Sequence, residues 1–584
     1  MSADDTPPET DADTNADADT TTDAGADTPA GADPHTLSTG DDEAEGDDAG
    51  ETRHAFWADR IADEVEARDP EDPIVIKGGV SPSGIPHLGH FNEIIRGYFV
   101  AEVLRERGHE VRQVFTSDDK DALRKVPRSL ADADWNIVGL GEVNAGALGR
   151  NLGKPYTTIP DPFGDHDSYG EHFTDLLQQS AEMIGVPVEM ESNTELYAEG
   201  VFDDAVRHVF EHLDRAREVL AKYQDKVDED YVPFQVQCAN CGVLTTNITG
   251  YDVEAETVDY TCAGLEAGGQ HIEGCGHEDT ATFRDGKLMW RFEWPAQWMT
   301  LGVDFEPFGK DHAEGSWPSG VDIAENVFGI EPPVPMVYEW FTLNGEPLSS
   351  SSGNVVTVKE VLDLLEPEVL RYFFVRNPKR AKDFDVSTLD QLVDEFDRFE
   401  RVYFGEEEED ENLAALAERA YPMLVDEVRE ERVRFPYTFA AVLGMVDDPD
   451  LRRRMARNEG HIGDDTPEWA VEDAMKRVER ARRWAERMDN EYNYRLQLDL
   501  PETDFDEETV AALDELAEFV EAGHDGEEIQ GEIYETAKRR DVETGDLFGA
   551  GYRLFFDQPQ GPRLGTFLGE LDTEFVVKRL RREA

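Results

Sequence analysis

The sequence predicts an α/β fold built on a parallel nucleotide-binding sheet, followed by an all-helical region. A short apolar run, Ile74-Val75-Ile76, leads into a Gly/Ser/Pro-rich turn at 78–86 and then a helical stretch from about 88 to 107. A second strand-like run, Val111 to Phe115, follows Gly108. Strand, glycine-rich turn, helix, strand is the opening of a Rossmann-type unit. From about residue 388 the pattern changes to amphipathic helices, among them 390–402, 469–489, 507–521 and 526–539.

The remaining elements follow in chain order. Residues 55–68 carry helical apolar spacing through Phe56, Ile61 and Val65, and Asp72-Pro73 ends that helix before the first strand. Helical runs lie around 170–184 and 202–224, and 235–285 is a turn-rich, Cys-bearing module. Val334-Pro335-Met336-Val337-Tyr338 is strand-like, with a turn at 344–354 after it. At 584 residues the chain is too long for one core. The expected division is a tail at 1–50, an α/β domain at 51–385 with an insertion at about 120–285 that includes the 235–285 module, and a helical domain at 386–584.

Charge is the most unusual global property. The chain has 130 Asp+Glu against 55 Lys+Arg, a formal net charge of -75. Residues 1–50 hold 16 acidic residues with no Lys or Arg and little apolar content, which predicts disorder. The other residues keep 114 acidic against 55 basic, so the folded part is acidic too. Such a surface fits concentrated salt, where repulsion is screened. No run of 18 apolar residues exists, which argues against a membrane span. The N-terminus also lacks a signal-peptide pattern. The expectation is a soluble, cytoplasmic protein without membrane or DNA partners.

The strongest local pattern is Gly78-Gly79-Val80-Ser81-Pro82-Ser83-Gly84-Ile85-Pro86-His87-Leu88-Gly89-His90. It lies between a strand and a helix, where backbone N–H groups and the helix dipole favour phosphate. Gly79, Gly84 and Gly89 would let the backbone approach a nucleotide. His87 and His90, one helical turn apart, can donate to charge developing on a phosphate.

The four cysteines form a second pattern. Cys238-x-x-Cys241, then Cys262, then Cys275, with His277 as an alternative to Cys275, is zinc-ribbon spacing. A Gly-rich insertion at 264–274 widens its second half. Four ligands would leave no place for water, so the expected Zn²⁺ is structural.

Pro82-Ser83-Gly84-Ile85-Pro86-His87-Leu88-Gly89-His90 resembles the HIGH motif of class I aminoacyl-tRNA synthetases, and Leu348-Ser349-Ser350-Ser351-Ser352-Gly353-Asn354 resembles their KMSKS loop. The resemblance implies that Pro82, Gly84, His87, Gly89, His90, Ser349, Ser350, Ser351 and Ser352 bind ATP. His87, His90 and Ser352 would be the catalytic set. The family's KMSKS lysines are absent, since Pro347 and Ser352 stand in their places. Either the loop works with hydroxyls and backbone N–H groups, or another cation helps, with Mg²⁺, the companion of ATP, as the obvious candidate.

Further segments are similar to the lysyl-specific, archaeal branch of class I. They are 115–121, Arg124-Lys125-Val126-Pro127, 160–164, 290–295, 304–312 and Gly561-Pro562-Arg563-Leu564. That similarity implies a lysine pocket of Gly79, Ser81, Trp290, His312 and Tyr338. It also implies transfer of L-lysine to tRNA(Lys), with the helical domain reading the anticodon. A zinc site in some members maps onto Asp161, Asp165, His166 and His172, with Cys where this chain has Asp165. Basic clusters at 452–454, 476–483 and 578–582 are candidate phosphate contacts, with Tyr492 and Tyr494 as base-stacking aromatics. Two alternatives stay open. Lys77 stands where a glutamyl enzyme carries a carboxylate-binding Arg, and the lysine-poor loop also fits a non-catalytic tRNA-binding paralogue.

Overall fold

The computed structural model describes residues 54–267, 269–339, 341–348, 355–376 and 378–583. The predicted acidic tail and Ser349, Ser350, Ser351 and Ser352 lie outside the described residues. The chain forms two compact units. One runs up to Lys359 and resumes for Phe374–Phe384, and the other comprises Glu360–Phe373 and Asp385–Ala584. No helix among the described residues is long and apolar enough to cross a membrane.

The first unit is organised by five parallel strands. In chain order they are β1 (Ile74–Val80), β2 (Val111–Ser117), β3 (Glu189–Ser192), β4 (Val303–Gly309) and β5 (Val334–Tyr338). Their spatial order is β5-β4-β1-β2-β3, and each neighbouring pair is parallel. This is the doubly wound arrangement, and the chain reverses direction across the sheet between β1 and β4. Ligands of such sheets bind in the crevice outside the carboxyl ends of those two strands.

Helix α1 (Trp57–Glu66) starts the unit, and α2 (Leu88–Glu106) packs on β1, β2 and β4. Buried Ile74, Val75 and Ile76 explain why β1 reads as a continuous apolar run. The strand runs further than its apolar residues suggest. Gly78, Gly79 and Val80 pair with Phe115, Thr116 and Ser117, so the expected turn from 78 begins only after Val80. The backbone ladder sets that boundary, and side-chain patterning does not register it. The helical run expected at 202–224 is two helices, Asp203–Glu211 and Leu213–Leu220.

Between β2 and β4 lie helix α3 (Tyr169–Met183) and the cysteine-bearing module. Strand Gly264–Ala267 pairs antiparallel with Gln270–Glu273. The insertion expected to widen the ribbon is therefore a hairpin that returns its two ends side by side. Helix α4 (Trp290–Leu301) follows, and its Trp294 and Trp298 join Phe308 and Trp317 in one buried cluster.

The segment Phe374–Phe384 rejoins the first unit. Its strand Lys382–Phe384 pairs in parallel with Phe341–Leu343. Asp383 accepts hydrogen bonds from Thr342 Oγ1 at 2.5 Å and the Gly345 amide at 2.8 Å. A single cut near 385 keeps Phe374–Phe384 with the first unit but misses Glu360–Phe373, which belong to the second.

The second unit is helical throughout its long elements, including α5 (Leu389–Tyr403), α6 (Glu411–Leu424), α7 (Tyr437–Gly444), α8 (Glu468–Met488), α9 (Glu507–Glu521) and α10 (Gly526–Arg539). Arg477 on α8 is 1% exposed and binds Asp397 through both terminal nitrogens, at 2.6 and 2.9 Å, and Glu366 at 2.7 Å. Removing one partner of a buried ion pair leaves the others uncompensated, at a cost of about 3–5 kcal/mol. Arg477→Ala is therefore expected to lower the unfolding free energy of this unit by that amount, with a correspondingly lower midpoint in a urea titration at fixed salt.

Candidate active site and metal centres

The crevice at the β1–β4 switch point gathers most of the predicted residues. His87 is the N-cap of α2, with extended backbone angles, φ −124° and ψ 168°. Its Nδ1 accepts the Gly89 amide at 3.1 Å, and His90 Nδ1 faces the His87 amide at 3.4 Å. The two rings stack with centroids 3.9 Å apart. Because each Nδ1 accepts from backbone, each neutral ring carries its proton on Nε2. Burial and the neighbouring His90 hold His87 well below the usual histidine range, and burial pushes His90 down to about 4. At neutral pH both are uncharged hydrogen-bond donors through Nε2.

Gly89 is required by this stack. A Cβ placed there would lie 2.7 Å from His87 Cε1. A Cβ on Gly79 would lie 2.3 Å from Thr116 Oγ1, so the adjacent strand enforces that glycine. Gly84 differs from both, because a Cβ there would meet nothing closer than Pro127 at 3.9 Å. The protein itself therefore does not require the close approach expected at Gly84. Pro82, Gly84 and His90 line one cleft with Ser81, Ser117 and Thr174. Leu88 N donates to Val356 O at 2.9 Å, which ties the start of α2 to the residue pair after the serine-rich segment.

The five residues implied for the amino-acid pocket surround the same strand ends. Gly79 donates its amide to Glu93 Oε1 at 3.0 Å. Tyr338 ends β5, in register with Gly309. His312 sits just past β4, its ring 6.1 Å from Trp290 and 5.4 Å from Trp294. Burial holds His312 below its ordinary range. Trp290 stacks on Trp294 at 5.4 Å, and its buried Nε1–H has no hydrogen-bond partner among the described residues. Ser81 donates to Asp121 Oδ2 at 2.9 Å.

Sequence reasoning singled out Lys77 but missed the buried ion pairs beneath these residues. Lys77, 1% exposed, binds Glu306 Oε1 at 2.8 Å, and Glu306 also accepts from the indoles of Trp294 and Trp298. A second network joins Ser81 and Asp121 to Lys287, which pairs with Asp121 and with Glu293 at 2.6 Å. Tyr197 donates to Glu293 at 3.0 Å. Burial, opposed by Lys287, pushes Glu293 up to about 7. The only trace in sequence is charge inside otherwise apolar runs, such as Lys77 after Ile74-Val75-Ile76.

The cysteine module brings four sulfurs together. Cys238 Sγ lies 3.7 Å from Cys275 Sγ and Cys241 Sγ 3.6 Å from Cys262 Sγ, with all four within 4.8 Å of one another. A tetrahedron of sulfurs around zinc at about 2.3 Å has edges of about 3.8 Å, so the donor set fits Zn²⁺. Cys275 also accepts from Asn240 at 3.4 Å. His277, the alternative fourth ligand, pairs with Asp279 at 3.4 Å and is outside the cluster. Cys275 fills the position because the 264–273 hairpin returns it beside Cys262.

At the second predicted cluster, Asp161, His166 and His172 converge and Asp165 does not. Asp165 donates its backbone amide to Asp161 at 2.8 Å, as do His166 at 2.9 Å and Phe163 at 3.0 Å. The tight turn wrapped around the Asp161 carboxylate thus uses the main chain of Asp165 and leaves its side chain out of the set. His172 Nε2 donates to Ala131 O at 2.9 Å and His166 Nε2 to Asp175 at 3.2 Å. Both Nδ1 lone pairs therefore face inward, 3.3 Å apart, with Asp161 Oδ2 at 3.6 Å from His172. Two imidazoles oriented by outer acceptors, plus one carboxylate, form a fitting set for Zn²⁺.

The candidate tRNA-contacting cations are largely paired within the protein. Arg452 binds Glu479, Arg453 Glu468, Arg483 Asp363, Arg581 Glu521 and Arg582 Asp514. Arg482 donates to the carbonyls of Tyr492 and Tyr494. Clustering in sequence did not reveal the acidic partners that the helices bring to each of these positions.

The family model for class I tRNA synthetases (K) matches residues 55–423. A lysine–tRNA ligase of Haloarcula marismortui is 70% identical over 529 residues, 90% of this chain and 97% of that protein. One of Natronomonas pharaonis is 68% identical, covering 91% and 98%, and one of Pyrococcus horikoshii is 34% identical, covering 90% and 99%. The chain belongs to the class I tRNA synthetases.

Gly89→Ala is expected to displace the His87 ring and lower the kcat of adenylate formation about 100-fold, a misplacement effect, with an unchanged melting temperature as the control. Metal analysis of the purified chain is expected to find two zinc ions, with Cys241→Ser and His172→Ala each losing one.

Proposed function

We propose that this chain activates L-lysine with ATP, forming lysyl-adenylate and pyrophosphate, and transfers the lysyl group to tRNA(Lys). The observation that carries the choice of amino acid is the pairing of Lys77 with Glu306. A pocket for glutamate needs a cation free for the substrate's second carboxylate, and Lys77 is consumed inside the sheet. Glu93 and Asp311 add further carboxylates at the same strand ends. With the aromatic faces of Trp290 and Tyr338, they suit an alkyl chain ending in an ammonium. The matched relatives are named lysine–tRNA ligases, which supports the same reading.

In this proposal the carboxylate of lysine attacks the α-phosphorus of ATP and pyrophosphate leaves. His87 and His90 present Nε2–H donors to the α-phosphate oxygens. Being neutral and held by backbone, they need little reorganisation as charge develops there. Pro82, Gly84 and Gly89 border the nucleotide, and Mg²⁺ enters with the phosphates of ATP. Ser349 to Ser352 would contribute hydroxyl and amide donors to the leaving group. Zn²⁺ held by Cys238, Cys241, Cys262 and Cys275 would close the ribbon structurally, and Asp161, His166 and His172 would hold a second ion. The helical unit is proposed to read the anticodon.

ATP–pyrophosphate exchange, run with tRNA present, tests the proposal. Exchange dependent on lysine is the expected outcome. Exchange dependent on glutamate would transfer the assignment to the glutamyl type, and none with either amino acid would point to a non-catalytic tRNA-binding protein.

A further inference from the structure

Three buried side chains next to the end of β2 leave oxygens without donors. Asp118, directly after β2, is 5% exposed, while Asn193, which opens the helix Asn193–Glu199, and Gln297 on α4 are fully buried. Asn193 Nδ2 and Gln297 Nε2 both donate to Asp118 Oδ1 at 3.1 Å. Their own oxygens, Asn193 Oδ1 and Gln297 Oε1, accept no hydrogen bond among the described residues, and neither does Asp118 Oδ2. An amide holds its oxygen and nitrogen about 2.3 Å apart, so each orphaned oxygen lies within about 5.4 Å of that same carboxylate oxygen. Opposite oxygen ligands at about 2.3–2.6 Å from one cation stand about 5 Å apart. The charges around these oxygens are also unbalanced. Asp118, Asp121 and Glu293 surround the single ammonium of Lys287, and Lys77 beside them is bound by Glu306. Four carboxylates thus share two ammonium groups. Burial, then the neighbouring Asp121, pushes Asp118 up to about 6, and burial pushes Glu293 up to about 7.

We propose that Asp118 Oδ2, Asn193 Oδ1 and Gln297 Oε1 bind a monovalent cation, Na⁺ or K⁺, beneath the crevice. Carboxylate and amide oxygens are the donors that hard cations take. One carboxylate with two neutral oxygens supplies a single negative charge, which matches a monovalent ion. Mg²⁺ sheds its water reluctantly, which a site closed by fully buried amides disfavours. A water molecule could satisfy the two amide oxygens through its protons, but it would leave the excess of carboxylates in place. The ion also has a structural consequence. Asp118 donates its amide to Val80 O at 3.0 Å, and Asp121 accepts from Ser81, so the site braces the strand end that carries Ser81. The inference does not depend on which amino acid the chain activates.

Thallium-205 NMR of the full chain in thallium(I) nitrate is the test, because Tl⁺ substitutes for K⁺ and a bound ion gives its own resonance. A bound resonance is expected, displaced by K⁺ and Na⁺ at concentrations about tenfold apart, and the better competitor names the ion. The same ion should raise the Tm by about 2–5 °C over choline at equal ionic strength. Gln297→Met removes one oxygen at similar volume and should abolish the bound resonance. Asn193→Asp keeps an oxygen, adds a charge and should tighten thallium binding about tenfold. Circular dichroism checks the fold of each variant, and Asn193→Asp decides the matter if Gln297→Met does not fold. No bound resonance in the unmodified chain, equal displacement by K⁺ and Na⁺ as for a diffuse surface atmosphere, or a resonance unchanged in the folded variants would overturn the proposal. A missing resonance together with a Tm indifferent to the cation would assign the oxygens to a buried water instead.

Discussion

The buried pair of Lys77 and Glu306 is the constraint on which the crevice depends. It spans β1 and β4, the two strands between which the sheet reverses direction. Two charges withdrawn from water are tolerable only when every donor and acceptor is matched. Here the indoles of Trp294 and Trp298 complete the shell of Glu306. The same tryptophans pack against Phe308 and Trp317, so the ion pair and the aromatic cluster fix one another. The pair also commits Lys77 inside the sheet, as Asp121 and Glu293 commit Lys287, which leaves the crevice biased toward cations.

The second constraint is the start of α2. Helix N-termini leave amides without intrahelical partners, and here two of them are accepted by imidazole nitrogens. Capping and chemistry thus use the same side chains. Nδ1 is committed to the backbone, and the Nε2–H ends are left as donors. Burial keeps both rings neutral, which suits hydrogen bonding to a phosphate and does not demand a compensating charge in an acidic protein.

The insertion between β2 and β4 and the helical unit show how an acidic chain spends its few cations. Lys287 is bound to Asp121 and Glu293, Arg477 to Asp397 and Glu366, and the basic clusters of the tail to neighbouring acids. Both candidate metal sets likewise gather converging acceptors that a cation would satisfy. With 130 acidic residues against 55 basic, arginine and lysine act mainly as internal ties.

The sequence by itself determined the α/β opening, the helical tail and the residue types of the site. Apolar periodicity, the Gly/Pro-rich turn before His87 and the Cys238-x-x-Cys241 knuckle are local signals that need no distant partner. Helices such as 507–521 and 526–539 were legible for that reason. Tertiary structure decided what depends on long-range placement. It extended β1 through Gly79 by pairing with Thr116, and folded 264–273 into a hairpin that sets Cys275 beside Cys262. It turned Asp165 out of the histidine cluster and placed Glu360–Phe373 in the helical unit. It also matched Lys77 with Glu306 and set Glu93 beside Gly79 and Tyr338. A charge's meaning depends on which opposite charge lies within a few ångströms, and that neighbour is commonly a hundred or more residues away along the chain.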